Sequence, residues 1–131
     1  MKFLCDTNVI SELIRREPHP GVVDWMRRQP SVALSVVTVE EVLYGLTWKP
    51  HPRVERWFGG FVENLTQVLP VTEAIARRSG ELRGDFQTRG ETRTMADMLL
   101  AATAQLHRLT LATRNTRHFE GCGILLLDPF Q

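Results

Sequence analysis

Three carboxylates stand where a folded chain has few cheap places for them. Asp6 ends the apolar run KFLC at the start of MKFLCDTNVISEL. Asp97 is the only charged residue from Met95 to Leu106, in a stretch apolar nearly all round. Glu41 lies in TVEEVLYGL beside Glu40, and both fall off the apolar stripe of Val39, Val42, Leu43 and Leu46. A lone buried carboxylate is costly unless it is hydrogen-bonded, paired or bound to metal. Three acids in one pocket repel one another at neutral pH unless a cation neutralises them, and Mg²⁺ or Mn²⁺ suits an all-carboxylate set. Each acid also has a local structural reading. Asp6 can cap the helix that follows, and Thr38-x-x-Glu41 and Thr94-x-x-Asp97 both read as capping boxes. Which reading holds depends on the elements that carry the three residues.

Those elements alternate. Residues 2–6, VALSVV, QVLPV, LTLAT and ILLL read as short strands, and VALSVV is rich in β-branched residues. Val9, Ile10, Leu13 and Ile14 recur at helical spacing, and Pro18 and Pro20 end that helix and open the next, GVVDWMRRQ. Thr38 is expected to start the helix of Glu41. Arg53 to about Gln67 reads as a helix kinked or split at Gly59–Gly60. Thr72 caps a helix to about Gln87, RGETRT is a loop, MADMLLAATAQLHR is the most apolar helix, and RNTRHFEGCG is a loop. Apolar strands separated by helices predict an α/β fold, with helices on both faces of a mostly parallel sheet. In such a sheet ligands bind beyond the carboxyl ends of the strands. Asp6 sits at one such end, and Asn115 follows another.

Composition sets the outer bounds. At 131 residues, 43% hydrophobic and 24% charged, the chain reads as one soluble domain, 1–131. No apolar run approaches the ~20 residues of a membrane span, and KFLC is too short for a signal peptide, so the expected place is cytoplasmic. Cys5 and Cys122 lack a zinc or redox spacing. The net charge of +1 does not by itself predict a nucleic-acid binder. Of 16 basic residues only Lys2 and Lys49 are lysine, so the positive charge is carried by planar guanidinium groups that can pair with phosphate. Trp25, Trp48 and Trp57 lie in or beside polar stretches and are candidates for an interface.

Four blocks, D-T-N-V-I-S-E, V-T-V-x-E-V-x-Y-G, A-D-M-L-L-A-A-T-A and L-A-T-R-N-x-x-x-F, cover nearly the whole chain in order. Together they resemble the PIN domain, in its VapC-type toxin branch. The resemblance implies a three-layer α/β/α fold and a metal-dependent endoribonuclease acting as the toxin of a type II toxin–antitoxin pair. It also implies a homodimer blocked by a cognate antitoxin. Asp6, Glu41 and Asp97 match the family's metal ligands for Mg²⁺ or Mn²⁺, and Glu41 is preferred to Glu40 because it stands four residues before Gly45. Asn8 and Thr113 match polar positions that orient those ligands.

The chain departs from the pattern at the fourth acidic position, where Asn115 and His118 stand. Glu120 is a candidate stand-in, and His118 reads as a loop or RNA-facing residue. The resulting expectation is RNA phosphodiester hydrolysis, with Arg114 or Arg117 gripping flanking phosphates. The departure keeps a second reading open: a weak or inactive PIN-fold binding module in a regulatory complex with its antitoxin. A haloacid dehalogenase-like phosphatase fits poorly, since Asn8 stands where that family needs a second Asp.

Overall fold

The structure is a computed structural model that describes residues 1–131. All five expected strands are present: β1 (Phe3–Cys5), β2 (Val32–Ser35), β3 (Thr66–Leu69), β4 (Thr110–Ala112) and β5 (Leu126–Leu127). They form one parallel sheet in the order β3-β2-β1-β4-β5. The helices are α1 (Thr7–Ile14), α2 (Pro20–Arg27), α3 (Val36–Trp48), α4 (Pro52–Leu65), α5 (Glu73–Thr88) and α6 (Met95–His107). A short 3-10 turn, Thr116–Phe119, lies within the segment expected to be loop.

Side chains of successive strand residues point to opposite faces, and here both faces are covered. Leu4, Ala33 and Leu111 pack with Leu82 and Phe86 of α5 and with Met98, Ala101 and Ala104 of α6. Their strand neighbours Cys5, Val32, Leu34 and Ala112 pack on the other side with Val9 and Ile10 of α1, Val42 of α3 and Phe58 and Phe61 of α4. This gives the three-layer α/β/α architecture and explains why the strands read as unbroken apolar runs. No helix is long and apolar enough to cross a membrane.

Three expectations are corrected. The second strand stops at Ser35 rather than Val37, and α3 begins at Val36 rather than Thr38. The Ser35 hydroxyl accepts the Val37 N–H at 3.0 Å, and this cap outweighs the β preference of Val36 and Val37. Helix α4 runs unbroken through Gly59–Gly60. Phe58 and Phe61 flank the pair and are buried at 3% and 5% exposure, and that packing offsets the roughly 1 kcal/mol helix cost of each glycine. Trp25 is a core residue, 6% exposed, with its ring edge-on to Phe3 at 5.1 Å.

Helix α6 ends where the sequence expects, through a left-handed residue at Arg108 (φ 56°). The Arg108 N–H donates to the Gln105 carbonyl at 3.3 Å and the Leu109 N–H to the Ala104 carbonyl at 2.9 Å. This pair of bonds satisfies the Ala104 and Gln105 carbonyls in the last turn and leads the chain straight into β4.

One buried acid has a structural role. Glu12 is 5% exposed and accepts bonds from the His19 N–H at 2.8 Å and from Arg15 Nη1 at 3.1 Å to both oxygens. The His19 bond, opposed by burial and aided by Arg15, holds its pKa below the ordinary 4.5. Glu12 thereby ties the end of α1 to the start of α2.

Two outcomes are expected. Ser35→Ala should destabilise the fold by about 1 kcal/mol in urea denaturation, because a buried cap is lost. Because the Glu12 pKa is lower folded than unfolded, its stabilisation is full above pH 4.5 and fades as pH falls through the folded value. Glu12→Gln should therefore be less stable than wild type at pH 7, with the gap narrowing below pH 4.5 in the same titration.

Candidate active site

The sheet order reverses between β1 and β4. From β1 the chain moves outward to β2 and β3, then returns to β4 on the other side of β1. The loops leaving β1 and β4 therefore diverge and open a crevice at the carboxyl edge, the usual ligand position in open α/β sheets. Cys5 is in register with Ala112, and the Asp6 N–H donates to the Ala112 carbonyl at 2.9 Å. That register sets Asp6 beside Thr113, across 107 residues of sequence.

Asp6 is 6% exposed, and its carboxylate is held on both oxygens. Oδ1 accepts the Thr7 N–H at 2.7 Å, which makes Asp6 the cap of α1. Oδ2 accepts the Thr113 hydroxyl at 2.8 Å and Asn8 Nδ2 at 3.1 Å. The Asn8 side chain also donates to the Thr113 hydroxyl at 3.2 Å and accepts the Arg114 N–H at 3.1 Å. The Asn115 N–H donates to the Thr113 hydroxyl at 3.0 Å. Thr113 thus donates once and accepts twice, its full capacity. Burial raises the Asp6 pKa above its usual value; the Thr113 and Thr7 bonds oppose the rise, and the charges of Asp97 and Glu41 add to it. Burial likewise raises the pKa of the adjacent Cys5 thiol, which keeps it protonated and apolar in character.

Glu41 reaches the same edge from α3. The Thr7 hydroxyl donates to Glu41 Oε1 at 2.6 Å and stands 3.2 Å from the Thr38 hydroxyl. Because α3 starts at Val36, Thr38 lies buried inside its first turns and is not a cap. The capping-box reading of Glu41 therefore fails, and its carboxylate is tied to the loop after β1. Gly45 lies one turn further on, and a Cβ there would meet nothing within 4 Å, so packing does not force the glycine.

Asp97 reaches the edge from the first turn of α6. Thr94 caps that helix by accepting the Asp97 N–H at 3.1 Å. The Asp97 carboxylate, 23% exposed, stands 3.4 Å from His118 Nδ1. His118, expected to be a loop residue, thus faces one of the three acids. Arg117 and Glu120 line the same groove as Asp97, together with Arg93. The Arg114 guanidinium lies instead over the Phe130 ring, 4.6 Å from its centroid, in a groove shared with Glu12 and Arg15. Asn115 is exposed, and its side chain makes no cap bond to the turn it opens.

The oxygen-only donors at this edge fit a hard divalent cation. Asp97 and Glu41 add their charges to the burial that raises the Asp6 pKa, and a cation bound at this edge would offset that added repulsion. The three carboxylates are nonetheless not drawn tightly together: no three acidic, histidine or cysteine side chains form a closed ligand group. Glu41 is engaged by Thr7, and Asp97 faces His118.

Two contributors escape sequence reading. Thr7 sits inside the D-T-N block, where its spacing from Asp6 was the available signal. Arg93, in the polar RGETRT loop, carries no pattern that sets it apart from a solvated arginine.

Comparisons with known proteins agree with this architecture. The PIN domain family model matches residues 3–123. The chain is 34% identical to VapC ribonuclease Y4jK of Sinorhizobium fredii, over 98% of each chain. It superposes on the DNA-bound VapBC of Salmonella typhimurium with a TM-score of 0.87, at 27% identity over 98% of each chain. A toxin–antitoxin complex from Klebsiella pneumoniae aligns with a TM-score of 0.77, at 29% identity over 98% of each chain. A parallel sheet with its acids at the switch point, and a family match across nearly its whole length, establish that this chain belongs to the PIN-domain family.

Proposed function

We propose that this protein is an endoribonuclease that hydrolyses RNA phosphodiester bonds and acts as the toxin of a type II toxin–antitoxin pair. The observation that carries the reading is the buried Asp6 carboxylate, held by three donors at the switch point and opposed by the charges of Asp97 and Glu41. The likeness to a VapC ribonuclease and to a toxin–antitoxin complex supports the activity and the antitoxin partner.

Asp6, Glu41 and Asp97 would hold Mg²⁺ or Mn²⁺. When bound, the ion supplies positive charge to the phosphoryl oxygens and acidifies the attacking water. The rest falls to the chain's own residues. Asn8 and Thr113 fix the Asp6 carboxylate in one orientation. Thr7 engages one Glu41 oxygen, and the other can accept a proton from water. Arg117, which lines the same groove as Asp97, would pair with a phosphate of the strand, whereas Arg114 lies over the Phe130 ring in a separate groove.

Asn115 keeps the second reading in play, because an amide adds no negative charge where the family often carries Asp. A binding module would capture its antitoxin and leave RNA intact at any Mn²⁺ concentration. RNA cleavage by the purified protein, dependent on Mg²⁺ or Mn²⁺ and abolished by chelation, separates the two.

Titration calorimetry with Mn²⁺ tests the ligand set. Asp97→Asn should weaken binding and nearly abolish cleavage at little cost in stability, and Asn115→Asp should tighten binding, since ligand charge tunes affinity. Were Asp97 only a helix-start residue, Asp97→Asn would lose at most about 0.5–1 kcal/mol of stability and leave Mn²⁺ affinity unchanged.

Exposed apolar surface supports the expected homodimer and antitoxin contact. Leu43, Tyr44 and Trp48 on α3 are 48%, 67% and 71% exposed. Tyr44 and Trp48 lie four apart and share a face. Trp48→Asp should raise the dissociation constant of the dimer or of the antitoxin complex by about thirtyfold or more, in the range of interfacial aromatic anchors (roughly 2 kcal/mol or more). Sedimentation and antitoxin titration that both match wild type would remove α3 from the interface.

A further inference from the structure

Arg93 is the most heavily engaged arginine near the acids, and none of its polar bonds goes to a side-chain carboxylate. Nη1 donates to the His118 carbonyl at 2.8 Å, and Nη2 donates to the Glu120 carbonyl at 3.0 Å. Nη1 also lies 3.9 Å from Cys122 Sγ. The guanidinium stacks over the Phe86 ring of α5, 3.8 Å from its centroid. Gly121 packs against the edge of the same ring: a Cβ there would lie 3.4 Å from it, at a φ of +81°. The segment from Thr116 to Cys122 is therefore gripped at two alternate carbonyls by one planar fork, whose plane is itself fixed by an aromatic floor.

His118 lies in that segment, and its Nδ1 is the group that faces the Asp97 carboxylate at 3.4 Å. Asp97 and Arg93 lie close in sequence, on either side of the Thr94 cap. Arg93 thus binds the turn of His118 to the very start of the helix that carries Asp97. A flexible turn would leave the imidazole free to swing away; two charge-assisted bonds from a rigid fork hold it.

We infer that Arg93 is a positioning residue for the acid pocket: it sets the 116–122 turn so that His118 orients the Asp97 carboxylate. The inference rests on the proposed ribonuclease site and names the device that shapes its third acid. Because its fork is spent on carbonyls, Arg93 acts through His118 and not by gripping substrate. Lysine cannot replace it, since a single ammonium does not span two carbonyls in a fixed plane.

The test compares wild type, Arg93→Lys, His118→Ala and the double variant. In the metal-free protein, the ring signals of His118 are followed by ¹H–¹⁵N NMR. Arg93→Lys should shift and broaden them while the other three histidines stay put; unchanged His118 signals would overturn the inference. This arm needs neither metal nor RNA, so it decides the positioning role even where wild type cleaves nothing. With Mn²⁺ and RNA, Arg93→Lys should lower Mn²⁺ affinity and kcat by roughly tenfold or more, as loss of ligand-orienting partners does, with KM for RNA unchanged. The same substitution should add nothing in the His118→Ala background, because the two act in series. A raised KM with kcat intact would make Arg93 a phosphate contact instead. A full-size effect in the His118→Ala background would show it acting without His118. Arg93→Met, which keeps an apolar side chain beside Phe86 but removes the fork, should reproduce the Arg93→Lys losses in a protein that stays folded, with a far-UV circular dichroism spectrum like that of wild type.

Discussion

A carboxylate at the end of a central strand has almost no water to solvate it. β1 has β2 on one side and β4 on the other, and helices close over both faces, so Asp6 leaves the sheet only 6% exposed. Its charge is carried by donors from two segments far apart in sequence: Thr7 and Asn8 just after it, and Thr113 at the end of β4. Loss of any donor leaves a buried acceptor short of a partner, which is worse than never having formed the bond. The loop after β4 is shaped by the same need, since the Arg114 and Asn115 backbone N–H groups close the network around Asn8 and Thr113. The β1–β4 register, the D-T-N block and the start of the 114–123 loop all serve one buried oxygen.

What faces that oxygen follows from where the next helices begin. Ser35 ends β2 and caps α3 at once, which draws Val36 and Val37 into the helix. Had α3 begun at Thr38, the Thr38 hydroxyl would have served a backbone N–H. Inside the helix it stands by Thr7 instead, and Glu41, less than one turn further, meets the Thr7 hydroxyl. A shift of two residues in a helix start thus decides whether Glu41 closes a cap or lines the crevice.

The parts of this arrangement that were legible in the sequence are those with a strong local signature. Five apolar strands separated by helices imply a parallel sheet with both faces covered, and the strand ends at Asp6 and Thr113 follow from it. The four blocks single out Asp6, Glu41 and Asp97, and the Asp97 and Glu41 charges both act on Asp6 in the folded chain. What sequence could not carry are choices settled by packing. The β-branched run from Val36 to Val37 outvotes a serine cap locally, yet the folded chain obeys the cap. Gly59–Gly60 looks like a break, but Phe58 and Phe61 are pulled into the core on either side of it and keep the helix whole. Trp25 looks like an interface residue among polar neighbours until the Phe3 ring of β1 meets it within one core cluster. Arg93 is the extreme case, because its partners are backbone carbonyls, which every sequence possesses and none advertises.

The local and functional readings of these acids are also less opposed than they look from sequence. Asp6 uses one oxygen to cap α1 and the other to hold Asn8 and Thr113. Thr94 caps α6 through the Asp97 N–H, and the Asp97 carboxylate is left to face His118. Both acids stand at helix N-termini, where the aligned peptide dipoles favour negative charge by up to about 1 kcal/mol each. Glu41 has no such support, since it lies beyond the first turn of α3, and it takes the Thr7 hydroxyl in its place. The helix starts therefore offset part of the cost of placing Asp6 and Asp97 at this edge, and the Thr7 hydroxyl does the same for Glu41. The Asp6 pKa is raised mainly by burial, and the charges of Asp97 and Glu41 add a smaller push in the same direction.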